Sequence, residues 1–399
     1  MKKILIFSHA MELGGAERAL LGLLEAIDTT KYSVDLFLMR HQGELLKYIP
    51  DNVNLLPENK KYSCLAIPMK EVIRQCQFGV AFGRIRGLFA ARKRVKQLKL
   101  GDNDVALEYS HKYTLRYMPQ VSKEEYDLAI SFLTPHYFVA DKVRAKKKIA
   151  WIHTDYAFVE VDRQSQLKMW EWYDNSISIS DDVTKSFVKT FPSLKEKVVM
   201  IENIMPMKYM QELANAFSAE EEMPQNSVSL LTIGRFSPQK KMDEIPQICK
   251  RIRESGIDAK WYLIGFGGDE VLIRQRIAEA GAEDYVIILG KKENPYPYIK
   301  ACDIYVQPSR YEGKSVAVRE AQILGKPVII TNYATAASQL KDGVDGVIVP
   351  MDIYACADGI IKVIMNKRLQ ETLIENTKKT DYTNAGEIEK LYRFMEEDL

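Results

Sequence analysis

Short apolar runs recur along this chain, separated by longer segments of helical periodicity. In the first half, residues 4–7, 34–39, 128–132, 148–152, 176–180 and 198–202 read as strands. In the second half, residues 227–233, 259–264, 286–289, 304–307, 328–331 and 346–349 read the same way. Helical segments such as 241–254, 270–280 and 316–324 lie between them, the last ending at the stop signal Gly325-Lys-Pro327. Strands that are apolar on both sides and alternate with helices belong in parallel sheets covered on both faces. Two successive doubly wound α/β domains are the economical inference.

Length agrees with that count. A chain of 399 residues exceeds what one core usually supports. The boundary is expected after Asn203-Ile-Met-Pro206, where a strand ends and a proline interrupts, with the acidic stretch 218–224 as a second candidate. The expected division is 1–203, 204–380 and a C-terminal helix in 381–399 that places Ile388, Leu391, Tyr392 and Met395 on one face. Such a face needs a partner surface, and the helix is expected to pack back on the first domain.

The five cysteines are scattered and odd in number, which suggests reduced thiols in a cytoplasmic protein, not a disulfide frame or a zinc site. Residues 1–7 carry charges like a signal peptide, but the apolar run is short and reads as a first buried strand. No stretch approaches the roughly eighteen apolar residues a membrane span requires, so membrane contact is expected to be peripheral. Charge is nearly balanced, with 56 Lys and Arg against 54 Asp and Glu. The basic excess concentrates between Glu71 and Asp102, an acid-free interval holding Arg84, Arg86, Arg92, Lys93, Arg94, Lys96 and Lys99 among apolar residues at helical spacing. A basic amphipathic helix over 84–99 suits an anionic membrane surface, and a solvated basic helix reads equally well. Modest whole-chain charge and little aromatic interleaving argue against nucleic acid.

Candidate chemistry gathers at the ends of expected strands, where parallel sheets bind ligands. After the strand at 304–307 comes Tyr311-Glu-Gly-Lys-Ser-Val-Ala-Val-Arg-Glu-Ala321, which holds Glu312 in a loop and Glu320 about one turn into a helix. Carboxylates accept hydrogen bonds from sugar or ribose hydroxyls, and free amides at a helix start meet phosphate oxygens. Arg235 and Lys240 follow Gly234 before another helix, and two cations there suit a diphosphate. Gly265 ends one strand among glycines, and Lys291 and Lys292 follow the next in a loop whose backbone could hydrogen-bond a nucleobase edge. Gly14 and Gly15 carry the chain from the first strand into a helix, without the third glycine of a dinucleotide fingerprint. Asp102-Asn-Asp104 has the form of a metal-binding pair but reads as a surface turn.

Taken together, these residues resemble the retaining glycosyltransferases of family 4, which have the GT-B fold. The resemblance is carried by Gly14-Gly15, His153 in Trp151-Ile-His-Thr154, Gly234-Arg235 with Lys240, and the run from Pro308 through Glu312 to Glu320 and Gly325-Lys-Pro-Val328. It implies an acceptor-side first domain, a second domain that binds a nucleotide sugar, most simply a UDP-hexose, and transfer to a hydroxyl with retained anomeric configuration. On this likeness Arg235 and Lys240 neutralise the diphosphate, and Glu320 accepts from the ribose. Glu312 lies beside the donor sugar, amides from Gly313, Lys314, Ser315 and Val316 contact sugar and phosphate, Gly15 approaches the phosphate, and His153 lies near the reacting carbon. Gly234, Gly265, Lys291 and Lys292 complete the expected donor-binding set. The likeness implies no metal or other cofactor, and an acceptor that is a saccharide or a lipid-linked saccharide at the inner face of the membrane in surface-polysaccharide synthesis. Lys314, Ser315 and Ala317 stand where the family loop often has Phe, Gly and Pro, which leaves the sugar open. A sugar-nucleotide epimerase of similar fold and a non-catalytic nucleotide-sugar-binding partner are the alternative readings.

Overall fold

The computed structural model describes all residues except 101–104, 155, 158, 313–314 and 397–399. The Asp102-Asn-Asp104 turn and the expected donor contacts at Gly313 and Lys314 therefore lie outside the described residues. The chain packs as two units, one formed by Met1–Pro206 with Asn384–Leu399, the other by Met207–Thr383.

The first unit holds seven parallel strands, β1 (Lys2–Ser8), β2 (Tyr32–Leu38), β3 (Asn54–Leu55), β4 (Glu125–Ser131), β5 (Arg144–Ile152), β6 (Asn175–Ser178) and β7 (Val198–Met200). They lie in the order β3-β2-β1-β4-β5-β6-β7. The centre is fully apolar, with Ile4, Leu5, Ile6 and Phe7 at 0% exposure, as expected of strands covered on both faces. Phe7 stacks on Phe37 at 5.4 Å, and Tyr62 and Phe138 close around them. The two-residue strand β3 is the one the hydrophobic pattern does not show. It sits at the sheet edge with Asn54 exposed and pairs with β2 through Asp35 and Leu36.

The C-terminal helix Ile388–Glu396 belongs to this unit and buries Ile388, Leu391, Tyr392, Phe394 and Met395. Tyr392 stacks on Tyr32 at 4.4 Å, and its hydroxyl accepts the Asp28 amide at 2.8 Å. Just before it, the Asn384 side chain donates to Glu202 and to the Asn203 carbonyl, both at 3.2 Å.

The basic segment forms the helix Phe78–Leu98, which begins earlier than the charge pattern alone suggests. Two of its glycines, Gly83 and Gly87, face the helix Val105–Thr114. A Cβ at Gly87 would stand 2.5 Å from the Tyr109 carbonyl oxygen, and one at Gly83 would stand 2.8 Å from the Thr114 methyl, so the close packing depends on both glycines. Two of the expected surface cations are structural. Arg84 donates to the Cys64 and Ile67 carbonyls at 2.8 and 2.7 Å, and Arg94 pairs with the buried Asp162 at 2.6 Å. The outer face is more aromatic than the interval first suggests, because the earlier start adds Phe78 and Phe82 to Ile85 and Phe89, all exposed.

The second unit holds β8 (Val228–Ile233), β9 (Ala259–Ile264), β10 (Val286–Gly290), β11 (Ile304–Gln307), β12 (Val328–Thr331) and β13 (Val347–Val349), all parallel, in the order β10-β9-β8-β11-β12-β13. Its core joins Leu230, Trp261, Val306 and Ile329 to the helix faces of Ile248, Ile252 and Cys356. The helix expected over 241–254 begins at Ile245 instead, because Lys241 is left-handed at φ 56 and leads into a short turn at Met242–Glu244. Pro246 fits the first turn, where its missing N–H has no partner to lose. The helix Val316–Ile323 ends as the stop signal predicts. Gly325, at φ 70, donates to the Gln322 carbonyl and Lys326 to the Ala321 carbonyl, each at 2.9 Å, which satisfies the last turn.

Candidate active site

Open parallel sheets bind ligands beyond the C-terminal strand ends, at the point where successive strands begin to be added on the opposite side. In the second unit that point lies between β8 and β11. The loop after β8 carries Gly234, Arg235 and Lys240, and the loop after β11 carries Ser309, Arg310 and Glu312. Topology thus brings two separate sequence motifs to one place.

Lys240 Nζ meets Glu312 Oε1 at 2.5 Å, with side chains 16% and 6% exposed. The Ser309 hydroxyl donates to the same carboxylate oxygen at 2.6 Å, and Thr335 donates to the Glu312 carbonyl at 2.6 Å. The two loops are tied further by the Arg310 amide donating to the Gln239 carbonyl at 2.8 Å, and by Gln239 donating to the Tyr311 carbonyl at 3.0 Å. Arg310 itself is held by Asp243 and Glu244 at 3.3 and 2.9 Å. Arg235 is exposed and makes no ion pair among the described residues. Together Arg235, Gln239, Lys240, Arg310 and Tyr311 line an open hollow of ≈ 490 Å³ whose charged side chains are all cationic. Such a hollow suits an anion.

Glu320 is 5% exposed and accepts the Tyr296 hydroxyl at 3.0 Å. Ser315 is buried just ahead of the helix, and its amide already donates to Gln339 Oε1 at 2.6 Å, while Val316 is exposed. Gly265 has φ 153, and a Cβ there would stand 1.9 Å from the Gly234 carbonyl oxygen. Its place is therefore set by the close approach of two loop backbones. Lys291 lies over the Phe266 ring at 5.5 Å, whereas Lys292 is turned to Glu222 at 2.7 Å and lies over the Tyr298 ring. A separate hollow of ≈ 670 Å³ lies near Met207, Gly325 and Thr383, where the helix Val316–Ile323 ends, and holds none of these groups.

The first unit has its own point of reversal, between β1 and β4. Gly15 opens the helix Gly15–Ala26, and a Cβ there would meet nothing within 4 Å, so its backbone faces open space. His153 follows β5, its ring 4.8 Å from Phe132, and its Nε2 has no partner among the described residues. Burial pushes its pKa down to about 4, so it stands as a neutral imidazole at pH 7. Two further histidines, His111 and His136, are pushed by burial to about 3. Ser131 and His136 Nδ1 share a hydrogen bond of 2.8 Å.

Beside His153 stands a carboxylate that motif reasoning did not single out. Glu108, on the helix Val105–Thr114, accepts the Tyr137 hydroxyl at 2.8 Å. Burial raises its pKa, opposed by the Ser165 and Tyr137 hydroxyls and by Lys112. Gln339, Thr335, Ser309 and Tyr296 were also missed. Each is a common polar residue, and only the fold brings it to the site.

Solved structures supply the comparison that decides the architecture. HepE from Anabaena, solved in complex with UDP, superposes with a TM-score of 0.55 at 17% identity, covering 98% of this chain and 100% of that one. TarM superposes with a TM-score of 0.61 at 13% identity, covering 99% of each chain. The fold is GT-B. Within this GT-B chain, residues 214–380 match the family model described as Glycosyl transferases group 1. Among curated proteins, the Escherichia coli UDP-Gal:alpha-D-GlcNAc-diphosphoundecaprenol alpha-1,3-galactosyltransferase is 23% identical over 235 residues, 55% of this chain and 61% of that protein. The N-acetyl-alpha-D-glucosaminyl L-malate synthase of Bacillus anthracis is 25% identical over 154 residues, 38% of this chain and 40% of that protein. The chain spans about half the length of the curated relatives it matches.

Proposed function

We propose that this protein is a retaining glycosyltransferase that moves a hexose-type sugar from a UDP-sugar to an acceptor hydroxyl. The observation that carries the reading is the meeting of Lys240 and Glu312 at the point of strand reversal, beside Arg235, which makes no ion pair among the described residues, and the buried Glu320. Charge develops on the diphosphate as it leaves, and cations already fixed in place stabilise that charge without reorganising. Arg235 and Lys240 fill this role. Glu312, fixed by Ser309 and Thr335, faces the donor sugar, and Glu320 accepts from the ribose. Gly15 and His153 retain the roles the family resemblance implies, toward the phosphate and the reacting carbon. The leaving phosphate takes the acceptor's proton on the donor's front face, so no protein nucleophile is assigned. Donor use proceeds without a bound metal.

We further propose a lipid-linked saccharide as acceptor, reached from the cytoplasmic face of the membrane. No helix among the described residues is long and apolar enough to cross a membrane. Support comes from the outer face of the helix Phe78–Leu98, where Phe78, Phe82, Ile85 and Phe89 are exposed beside Arg92, Lys93 and Lys96. Apolar wedges with flanking cations suit the headgroup region of an anionic bilayer. The relatives named for polysaccharide chemistry, including an amylovoran biosynthesis glycosyltransferase of Erwinia amylovora that is 26% identical over 129 residues, point the same way.

The test is a panel of nucleotide sugars, with and without polyprenyl-diphosphate-linked saccharides and with EDTA present, read by UDP release and by NMR of the new anomeric centre. Transfer with retained configuration is expected. Epimer formation from donor alone would favour the epimerase reading, and donor binding without any turnover would favour a non-catalytic partner.

A further inference from the structure

Three buried polar atoms of residues lining one small cavity of the first unit, Glu108 Oε2, Trp151 Nε1 and His153 Nε2, are left without partners among the described residues. Glu108 is 8% exposed, and its Oε2 lies outside hydrogen-bond geometry with every described residue. Trp151, at the end of β5, is 3% exposed, and its indole Nε1–H is likewise unpartnered. Buried polar groups are ordinarily satisfied, and one left unpaired loses its hydration without return. An acceptor and a donor stranded together therefore point to something that binds between them.

Glu108 and Trp151 line one cavity of ≈ 90 Å³, together with His153, Val159, Met169 and Trp170. A water occupies about 30 Å³ of liquid, so the space admits about three waters or one compact substituent, and not a whole sugar ring. Its walls are largely aromatic and aliphatic. A single hydroxyl would satisfy the polar atoms and leave the apolar wall uncovered. An acetamido group brings one N–H donor, one carbonyl acceptor and a methyl, held in a plane.

We propose that this cavity receives the acetamido group of an N-acetylhexosamine, its N–H donating to Glu108 Oε2, its carbonyl accepting from Trp151 Nε1–H, and its methyl resting against Val159 and Met169. The inference rests on the glycosyltransferase reading for the presence of a sugar and goes beyond it in naming the substituent. Tyr137 acts as a positioning residue, because its hydroxyl fixes Glu108 Oε1 at 2.8 Å and leaves Oε2 for the ligand.

The sugar can belong to the donor or to the acceptor, and two matched pairs of probes distinguish these. Affinities of the full chain are measured for UDP-GlcNAc against UDP-glucose, and for methyl N-acetylglucosaminide against methyl glucoside by saturation-transfer NMR, with UDP alone as reference. A preference of at least about tenfold for the acetylated member is expected in one pair. Preference in the first pair places the group on the donor, and preference in the second places it on the acceptor. Glu108→Gln keeps the size and the Tyr137 contact but turns an amide donor toward the ligand, and it abolishes the preference while UDP affinity is retained. Trp151→Phe gives the same loss by a route that spares the carboxylate. Equal affinity within both pairs, or a preference that survives both substitutions, overturns the inference. Normal UDP binding in that case leaves the glycosyltransferase reading standing, whereas failure of UDP to bind strikes at that reading, and the free-glycoside pair still decides the cavity.

Discussion

Lys240 and Glu312, 72 positions apart in the chain, are joined at 2.5 Å across the loops that follow β8 and β11. Each fixes the other at a point where the proposed diphosphate and sugar meet. Lys240→Met removes a charge-assisted contact worth about 1.5–3 kcal/mol, so UDP affinity measured by calorimetry should fall by about ten- to a hundredfold. Glu312→Gln keeps a hydrogen-bonding side chain for Ser309 and should spare UDP affinity while lowering turnover of the UDP-sugar. Equal losses of UDP affinity in the two variants would contradict this division of labour.

Glu320 is held by Tyr296 one turn into its helix, and the proposed ribose contact makes a ligand-side prediction. Wild-type protein should prefer UDP over 2′,3′-dideoxy-UDP. Glu320→Ala should bring the two affinities together, mainly by weakening UDP, by about 1.5–3 kcal/mol for a hydrogen bond to a charged group. Tyr296→Phe should reduce the preference by less, since it loosens the carboxylate without removing it. Competition titration against a fluorescent nucleotide measures both effects. A preference unchanged in Glu320→Ala would remove Glu320 from the site.

These contacts separate what the sequence pattern can show from what it cannot. Every expected strand forms, most of them as apolar runs buried in the sheet, although β6 is the serine-rich Asn-Ser-Ile-Ser and β7 is only half-buried. β3 escapes because a two-residue edge strand has no run to detect. Arg235, Lys240, Glu312 and Glu320 are legible because they stand at strand ends in motifs with fixed spacing. Their supports are not, since Ser309, Thr335, Tyr296 and Gln339 are ordinary residues until topology brings them close. Glu108 is hidden for a related reason. A lone glutamate in a helical pattern looks solvated, and only its packing against Tyr137 shows it to be buried. The basic helix fails in the opposite direction, since charge alone could not tell that Arg84 and Arg94 are spent on internal partners.

Two buried histidines and the half-buried His153 set the acid limit of the first unit. His111 and His136 are pushed to about 3 and His153 to about 4, from an ordinary 6.5. Each is neutral in the folded state and binds its proton readily only when unfolded. Between pH 6.5 and about 4 the unfolded chain therefore holds more protons, and stability falls as pH falls. Each histidine contributes a slope of up to about 1.4 kcal/mol per pH unit in that window. Denaturant unfolding from pH 7.5 to 4.5 should show stability level at first and dropping below about 6.5. His136→Asn should flatten part of the drop, and an unchanged slope would mean that these rings are accessible to protons in the folded state.

Gly265 tests whether the loop after β8 is held by backbone contact. Its φ of 153 and the 1.9 Å approach to the Gly234 carbonyl leave no room for a methyl group. Gly265→Ala should destabilise the second unit by about 1–3 kcal/mol from backbone strain alone, and the displaced Gly234 loop should carry Arg235 and Lys240 out of register. Lower UDP affinity together with lower thermal stability is expected. By contrast, Gly256→Ala, at φ 86 with open space around its Cβ, should lose stability without loss of UDP affinity. Comparing the two separates strain in general from strain that reaches the site.

The exposed row Phe78, Phe82, Ile85 and Phe89 allows membrane attachment to be tested without disturbing the fold. Phe78 and Phe89 are each 64% exposed, so replacing both with serine removes little buried area. Thermal stability should stay close to wild type, since surface substitutions away from packed features usually fall within about 0.5 kcal/mol. Sedimentation with vesicles containing phosphatidylglycerol should separate two contributions. Added salt screens Arg92, Lys93 and Lys96 and weakens binding progressively, whereas the double serine variant loses the salt-resistant part. Arg84→Ala is the control in the opposite direction, because it strips the Cys64 and Ile67 carbonyls of their donor and should lower stability. If wild-type protein stays in the supernatant with anionic vesicles at low salt, the helix is a solvated basic helix and the proposed acceptor reaches the protein by another route.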